Sequence, residues 1–133
     1  MDKLEYIPGD LVKFATNTYT IVNFVGNILQ SKIYALISTN STKTTFVEDR
    51  DILPIPLTPE ILEKNGWRTQ NRWYYYLDVA EGFISYIGID FKHKSNKGHL
   101  YVEVDGNNMV EIQYCHELQH FFFGLGVKHE MEV

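Results

Sequence analysis

A pair of prolines near the middle of the chain, Pro54 and Pro56, constrains the fold more than any other feature. Neither residue has a backbone N–H group to donate, so the stretch 52–57 can form only an edge strand or a linker. Upstream of it, apolar residues follow the period of β-strands, and downstream, helix signals flank a second set of strands. The sequence therefore predicts an α+β chain of two units, 1–57 and 58–133.

Short runs of β-branched and aromatic residues, typical of strands, recur in the first unit at a spacing of about ten residues. They are Leu11–Phe14, Tyr19–Val25, Ile33–Ile37 and Thr44–Val47. This spacing is typical of a small barrel or sandwich. The segment Gly9–Lys13 resembles the opening of SH3-like barrels, in which a Gly-Asp turn leads into a half-buried strand. The resemblance implies a small SH3-like β-barrel for residues 1–57.

Helix signals bound the second unit. Thr58 suits a helix N-cap, Pro59 suits the first helical position, and Asn65-Gly66 suits a helix end. A second helix is predicted from about Cys115, because the apolar residues that follow recur at helical spacing. Four strands are predicted between the helices: 72–77, 83–91, 100–104 and 109–114. The unit is thus predicted to be α-β-β-β-β-α with an antiparallel sheet.

The overall composition excludes several classes of protein. With 44% hydrophobic and 22% charged residues, the chain is globular rather than disordered. Its net charge of −5 lacks the basic excess typical of general nucleic-acid binders. A single cysteine, Cys115, rules out an intramolecular disulfide and suits a reducing compartment. With no signal-peptide pattern and no apolar run of roughly 18 residues, a cytoplasmic protein without a membrane partner is predicted.

Two stretches carry a family resemblance. LPIPLTPEILEKNGW (Leu53–Trp67) and IQYCHELQHFFFGLG (Ile112–Gly126) resemble recurrent segments of short, uncharacterised proteins from Bacteroidetes and from their phages and mobile elements. The resemblance implies a gene of phage or mobile-element origin, and a phage-encoded protein would act in the cytoplasm of the host cell. It implies no activity. Proteins of this group typically carry Asn at the position of His120, which argues against His120 as an obligatory metal ligand.

The pentad His116-Glu117-Leu118-Gln119-His120 matches the zinc-hydrolase pattern His-Glu-x-x-His. On a helix, His116 and His120 would share one face and bind zinc, while Glu117 would activate a water molecule. A third protein ligand is needed, and its candidates lie in the short C-terminal tail: His129, Glu130 and Glu132. The favoured interpretation is an ordinary helix N-terminus without a cofactor, in which Glu117 meets the positive end of the helix dipole.

An aromatic run and a basic loop are the candidate binding sites. In the run 73–76, strand alternation places Trp73 and Tyr75 on one face and Tyr74 and Tyr76 on the other. One face must join the core, and the other is either an exposed patch or packs on the first unit. The loop 92–99 carries three lysines: Lys92, Lys94 and Lys97. They either contact the phosphate backbone of a nucleic acid or simply keep the loop in solvent without a partner.

These features favour a non-enzymatic binding protein that acts on a protein or small ligand through Trp73, Tyr74 and Tyr76. The possibility that it acts as a homo-oligomer stays open. The first alternative is a zinc-dependent hydrolase that uses the pentad. The second is a nucleic-acid-binding accessory protein that uses either the N-terminal barrel or the loop lysines, Lys92, Lys94 and Lys97.

Overall fold

The fold of the chain is seen in a computed structural model, which describes residues 6–28, 31–38, 41–81, 84–127 and 130–133. The chain divides into two compact units, Met1–Ile55 and Pro56–Val133. The division falls inside the proline segment. No helix in the described part of the chain is long and apolar enough to cross a membrane.

The described residues of the first unit form a single antiparallel sheet of five strands in the order β4-β3-β2-β1-β5. The strands are β1 (Leu11–Phe14), β2 (Asn17–Ile28), β3 (Ser31–Ser38), β4 (Thr44–Glu48) and β5 (Ile52–Pro54). A 3-10 helix, Asp49–Asp51, joins β4 to β5. Consecutive strands β1 to β4 pair as a meander, and β5 returns to pair with β1.

One face of this sheet carries the core of the unit. Its buried side chains alternate along the strands, as a half-buried sheet requires: Val12, Ile21, Tyr34, Leu36, Val47 and Ile52. Tyr6 meets Tyr34 edge to face with ring centroids 5.8 Å apart. Before β1, the buried Asp10 accepts a hydrogen bond from the N–H of Ile7 at 2.8 Å and fixes the turn at Gly9.

The prediction of an SH3-like barrel for residues 1–57 is wrong, because the described strands form an open sheet with β4 and β5 as its edges. The physical reason lies in the proline segment. The strand β5 has only three residues, and its last residue, Pro54, has no N–H to donate. The strand therefore pairs only with β1, and within the described residues no ladder joins it to β4.

Where the structure describes it, the second unit contains two helices and a five-stranded antiparallel meander in the order β10-β9-β8-β7-β6. Its elements are α1 (Pro59–Lys64), β6 (Arg68–Thr69), β7 (Tyr74–Glu81), β8 (Ile84–Asp90), β9 (Leu100–Val104), β10 (Asn107–Ile112) and α2 (Cys115–Leu125). The predicted α-β-β-β-β-α order lacks β6, so this part of the fold class is also wrong. The chain is mostly β, with two antiparallel sheets. Phe83, where one predicted strand begins, lies outside the described residues.

Local signals set the helix ends. The Thr58 hydroxyl accepts the N–H of Ile61 at 3.3 Å, and Asn65 ends α1, which confirms the predicted start and stop of this helix. The second helix ends at Gly126, whose φ of 72° is the left-handed conformation that glycine adopts most readily. The ends of α1 and the C-terminal end of α2 therefore lie at capping residues that can be recognised in the sequence.

The core of the second unit lies between its helices and one face of its sheet. The fully buried residues come from both: Leu62, Tyr75, Ile87, Ile89, Val102, Leu118 and Phe122. The Tyr75 hydroxyl donates to Glu63 Oε1 of α1 at 3.0 Å, and Trp67 and Phe122 pack with ring centroids 6.2 Å apart. Because side chains alternate along strands, the residues on either side of Tyr75 point to the opposite face.

Candidate ligand-binding site

The face of the second sheet opposite its helices carries a group of aromatic and polar side chains, named here the tyrosine face. Along β7 it presents Tyr74, Tyr76 and Asp78 at alternate positions. In the neighbouring strand β8, Gly88 lies opposite Tyr76 and Tyr86 lies opposite Asp78. Strand pairing therefore brings these side chains together on one surface.

The tyrosine face contains a cleft of about 330 Å³. Its lining consists of three phenol rings, two amides and a carboxylate: Gln70, Asn71, Tyr74, Tyr76, Asp78 and Tyr86. All three rings are half-buried, so each is held by the sheet and still presents a surface to solvent. The Asn71 Oδ1 atom accepts the N–H of Trp73 at 3.1 Å and that of Tyr74 at 2.9 Å, which fixes the entry to β7.

The absence of a side chain at Gly88 lets the outer end of the Tyr74 ring lie directly over this residue. A Cβ atom at residue 88 would lie 2.6 Å from Cζ of Tyr74 and would overlap its hydroxyl oxygen. A glycine in a strand interior has no side chain to pack, and a neighbouring aromatic ring covers it here. Gly88 therefore determines where the Tyr74 ring sits in the cleft.

The hydroxyl of Tyr74 points towards Glu103 on β9, with 3.5 Å between Oη and Oε1. Burial, followed by the charge of Glu103 and the proximity of Tyr86, raises the pKa of Tyr74 above its usual range. Burial and the charge of Asp90 also raise the pKa of Glu103. The Tyr74 phenol thus keeps its proton at neutral pH and serves as a hydrogen-bond donor.

Tyr86 is held in place by the turn between β9 and β10. Asp105 and Gly106 both have positive φ, 50° and 86°, as a two-residue type I′ hairpin turn requires. The Asp105 Oδ1 atom accepts the N–H groups of Ser85 and Tyr86 at 2.9 and 3.0 Å. A Cβ atom at residue 106 would lie 3.2 Å from the Tyr86 hydroxyl, so this ring end also rests on a glycine.

A cation from the chain itself already occupies part of the tyrosine face. The Arg68 guanidinium lies 5.0 Å from the ring centroid of Tyr76, and it forms an ion pair with Asp78. The side chains of the pair are 62% and 63% exposed, so solvent screens them strongly. Exposed ion pairs contribute about 0–1 kcal/mol and exposed cation–π contacts about 0.5–1 kcal/mol. Arg68 is therefore weakly held.

No protein-family model, curated protein or solved structure matches the chain. What the cleft can bind follows from the shape, charge and hydrogen-bonding groups of its own lining. The resemblance of Leu53–Trp67 and Ile112–Gly126 to short proteins of Bacteroidetes and their phages stays a prediction.

Of the predicted binding residues, Tyr74 and Tyr76 line the cleft, whereas Trp73 lies at the bend before β7. The Trp73 ring meets the Tyr74 ring edge to face at 6.2 Å. Lys92 Nζ lies 5.3 Å from the indole centroid, and the centroid of the His93 ring lies 5.4 Å from it. Trp73 and Lys92 are thus engaged with each other beside the cleft.

The other two predicted lysines, Lys94 and Lys97, are exposed in the loop between β8 and β9. The loop is folded by its own hydrogen bonds. The buried Ser95 donates its N–H to the carbonyl of His99 at 2.9 Å and accepts the His99 N–H at 3.1 Å. Lys94 and Lys97 are not among the residues that line the cleft.

Sequence reasoning missed most of the polar lining. Strand alternation beyond Tyr76 contains the signal for Asp78, and the alternation of β8 contains that for Tyr86. Gln70 and Asn71 line the cleft from the bend before β7. Arg68 and Glu103 are not part of the lining and reach the tyrosine face through pairing across strands. The local sequence around these four residues carries no such signal.

The predicted zinc pentad forms the first turns of α2. His116 is buried and stacks on Tyr114 with ring centroids 5.9 Å apart, and the His116 and His120 centroids are 5.6 Å apart. The Glu117 carboxylate accepts the backbone N–H groups of Gln113 and Tyr114 at 2.9 and 3.0 Å, as the N3 residue of a capping box. It is thus engaged in the helix cap.

A third metal ligand is needed to complete a zinc site. Among the residues that the structure describes, no group of three His, Cys, Asp or Glu side chains is placed to hold a metal ion. His129, one of the candidate third ligands, lies outside them. The neighbouring Cys115 is fully buried, and burial raises the pKa of its thiol to about 12, so it carries a proton at neutral pH.

Replacing Glu117 with Ala tests the capping role. Loss of the two hydrogen bonds to the backbone is expected to lower the free energy of unfolding by about 1 kcal/mol, measured by urea denaturation. The matched variant Glu117→Gln keeps an acceptor oxygen and should retain most of that stability. Equal stability of all three proteins would contradict the capping role.

The raised pKa values of Tyr74 and Tyr75 predict a loss of stability in alkali. Burial is the main cause for both phenols, and the Glu63 carboxylate adds to it at Tyr75. A tyrosine in the unfolded chain ionises near pH 10. Because their pKa values are raised, the two phenols of the folded protein still hold their protons at that pH. Deprotonation therefore favours the unfolded state above that pH, so stability is full below about pH 10 and falls as pH rises.

Urea midpoints at about pH 9 and pH 11, together with the phenolate absorbance, measure this effect. The variant Tyr74→Phe lacks one of the two phenols and should show a smaller decline between these pH values. A decline of the same size in Tyr74→Phe and in the original protein would show that Tyr74 does not contribute.

Proposed function

We propose that the protein is a non-enzymatic binding module that recognises a small ligand, or a side chain of a protein partner, in the cleft of its tyrosine face. The observation that carries this proposal is the cleft of about 330 Å³ between Tyr74, Tyr76 and Tyr86. Its volume lies at the lower end of the range of about 300–1,000 Å³ that is typical of small-ligand sites.

The composition of the lining supports binding. Tyrosines supply a large contact area with few rotatable bonds, and their hydroxyl groups provide hydrogen bonds that orient a ligand. Gln70, Asn71 and Asp78 add amide and carboxylate groups at the edge of the cleft. A few polar groups around aromatic surface is the pattern typical of ligand sites.

The rigidity of the rings supports it as well. Tyr74 lies over Gly88, and the backbone of Tyr86 is held by Asp105. Side chains that are already fixed lose little conformational entropy when a ligand binds, so more of the contact energy contributes to affinity. The Tyr74 phenol, whose pKa is raised, acts as a donor rather than as a base.

The biological setting proposed here is the cytoplasm of a bacterial host, with a gene of phage or mobile-element origin. It rests on the sequence resemblance of Leu53–Trp67 and Ile112–Gly126. The tyrosine face is equally usable by a small ligand and by a side chain of a partner protein, because either can present a group that fits the cleft.

The test is a titration of the ¹⁵N-labelled protein with a panel of small molecules that contains saccharides, carboxylates, alkylureas and alkylammonium or alkylguanidinium ions. A ligand of the cleft is expected to shift the amide signals of β7 and β8. Tyr76→Ala should weaken the binding by roughly tenfold or more, as loss of a central aromatic contact does.

The matched control is Phe123→Ala, which removes an aromatic side chain that is 79% exposed on α2. It should leave the affinity unchanged. If no compound in the panel shifts the signals of β7 and β8, the proposed function is wrong.

A further inference from the structure

We propose that the group recognised in the cleft is an alkylguanidinium or alkylammonium cation, and that Arg68 occupies its place until the ligand displaces it. This inference rests on the proposed function, and it names the ligand class of the same site. Such a cation is carried by a small amine, such as agmatine, or by an arginine or lysine side chain of a partner protein.

The first support is the position of Arg68 itself. Its guanidinium lies 5.0 Å from the ring centroid of Tyr76 and pairs with Asp78. These are the two contacts through which proteins recognise organic cations: the negative face of an aromatic ring and an opposite charge. The tyrosine face therefore already accommodates a guanidinium group.

The second support is the balance of charge on the tyrosine face. Asp78, Asp90 and Glu103 contribute carboxylates, since Asp90 lies opposite Tyr74 and Glu103 lies opposite Gly88 in the strand register. Arg68 supplies a positive charge on this face, and Lys92 supplies another beside the cleft. The Asp90 carboxylate is also paired, since its Oδ2 atom lies 2.9 Å from His93 Nδ1. Phenol rings add their negative faces, so a cation is attracted to this surface and an anion is repelled.

The third support is that Arg68 can leave. It belongs to β6, an edge strand of two residues, and its side chain is 62% exposed. Water can replace both of its contacts, because neither partner of the ion pair is buried. A ligand that carries its own cation and further apolar contacts to Tyr74 and Tyr86 competes for the same carboxylate and ring.

The test compares butylguanidinium with butylurea, which has nearly the same shape and no charge. The readout is the shift of the β7 and β8 amide signals during titration. Butylguanidinium is expected to bind roughly tenfold more tightly, and increasing salt should weaken it. The variants Arg68→Ala and Arg68→Gln remove the guanidinium that contacts Tyr76 and Asp78. Each variant should therefore bind butylguanidinium roughly threefold or more tightly than the original protein.

The charge partner is tested by Asp78→Asn, which should weaken butylguanidinium binding by roughly tenfold. The control Asp51→Asn makes the same change at an exposed site in the first unit, and it should leave the affinity unchanged. Weaker binding to the Arg68 variants would overturn the competition, and equal affinity for the two probes would overturn the cation class.

Agmatine and a capped Gly-Arg-Gly peptide distinguish the source of the cation. Tighter binding of agmatine supports a small amine, and tighter binding of the peptide supports a protein partner. If butylurea or a saccharide shifts the β7 and β8 signals and no cation does, the binding module stands and the cation class is wrong. If no probe shifts them, both proposals fail.

Discussion

Replacing Phe122 with alanine is expected to destabilise the second unit by about 3–5 kcal/mol, as the removal of a buried aromatic side chain from a packed core does. Phe122 is 2% exposed and packs against Trp67. A domain is stabilised by only about 5–15 kcal/mol in total, so this unit would lose a fifth or more of its stability. Urea denaturation followed by tryptophan fluorescence measures the loss, since Trp67 is in contact with the altered site.

The adjacent residue supplies a matched control. Phe123 is 79% exposed on the same helix, so Phe123→Ala makes the same chemical change at a solvent-facing position of α2. It should change the free energy of unfolding by no more than about 0.5 kcal/mol. A similar loss in the two variants would mean that Phe122 does not anchor α2 in the core of this unit.

The helix ends show what local sequence can predict. Thr58, Pro59 and Asn65-Gly66 were sufficient to place α1, because a cap depends on residues within one turn of each other. The capping carboxylate of Glu117 is equally local, and the prediction that it meets the N-terminus of α2 agrees with its two hydrogen bonds to the backbone. The match of the pentad to the zinc-hydrolase pattern did not predict this capping role of Glu117.

Closure of a sheet depends on contacts that are far apart in sequence, and here the prediction failed. The strand spacing of the first unit is compatible with a barrel or an open sheet, and the ends of β4 and β5 decide between them. The two-residue strand β6 gave no signal either. A run of two residues has no periodicity, and its place in the sheet is set by pairing with Tyr75 and Tyr76.

The candidate site divides in the same way. Alternation along β7 placed Tyr74 and Tyr76 on one face from sequence alone, and the same rule extends to Asp78. The register between strands adds Tyr86 and Glu103, and no local pattern specifies that register. The side chains of β7 that share this face were therefore predictable, and those that neighbouring strands bring to it were not.

Replacing Gly88 with alanine is expected to displace the ring of Tyr74 and to deform the cleft. The new Cβ would overlap the Tyr74 hydroxyl oxygen and lie 2.6 Å from Cζ. Forcing a side chain out of a packed position costs about 1–3 kcal/mol, and the half-buried Tyr74 can swing towards solvent, which favours the lower end. The free energy of unfolding should fall, and the shifts of the β7 and β8 amide signals during ligand titration should become smaller.

A double-mutant cycle separates this clash from a general effect of alanine in β8. Tyr74→Ala removes the overlapping atoms, so Gly88→Ala should be better tolerated in that background, with a coupling energy of about 1–2 kcal/mol. Gly124→Ala on α2 is the matched control, because a Cβ there meets nothing within 4 Å. It should stabilise the helix by up to about 1 kcal/mol. Additive effects of Gly88→Ala and Tyr74→Ala would show that Gly88 does not position the Tyr74 ring.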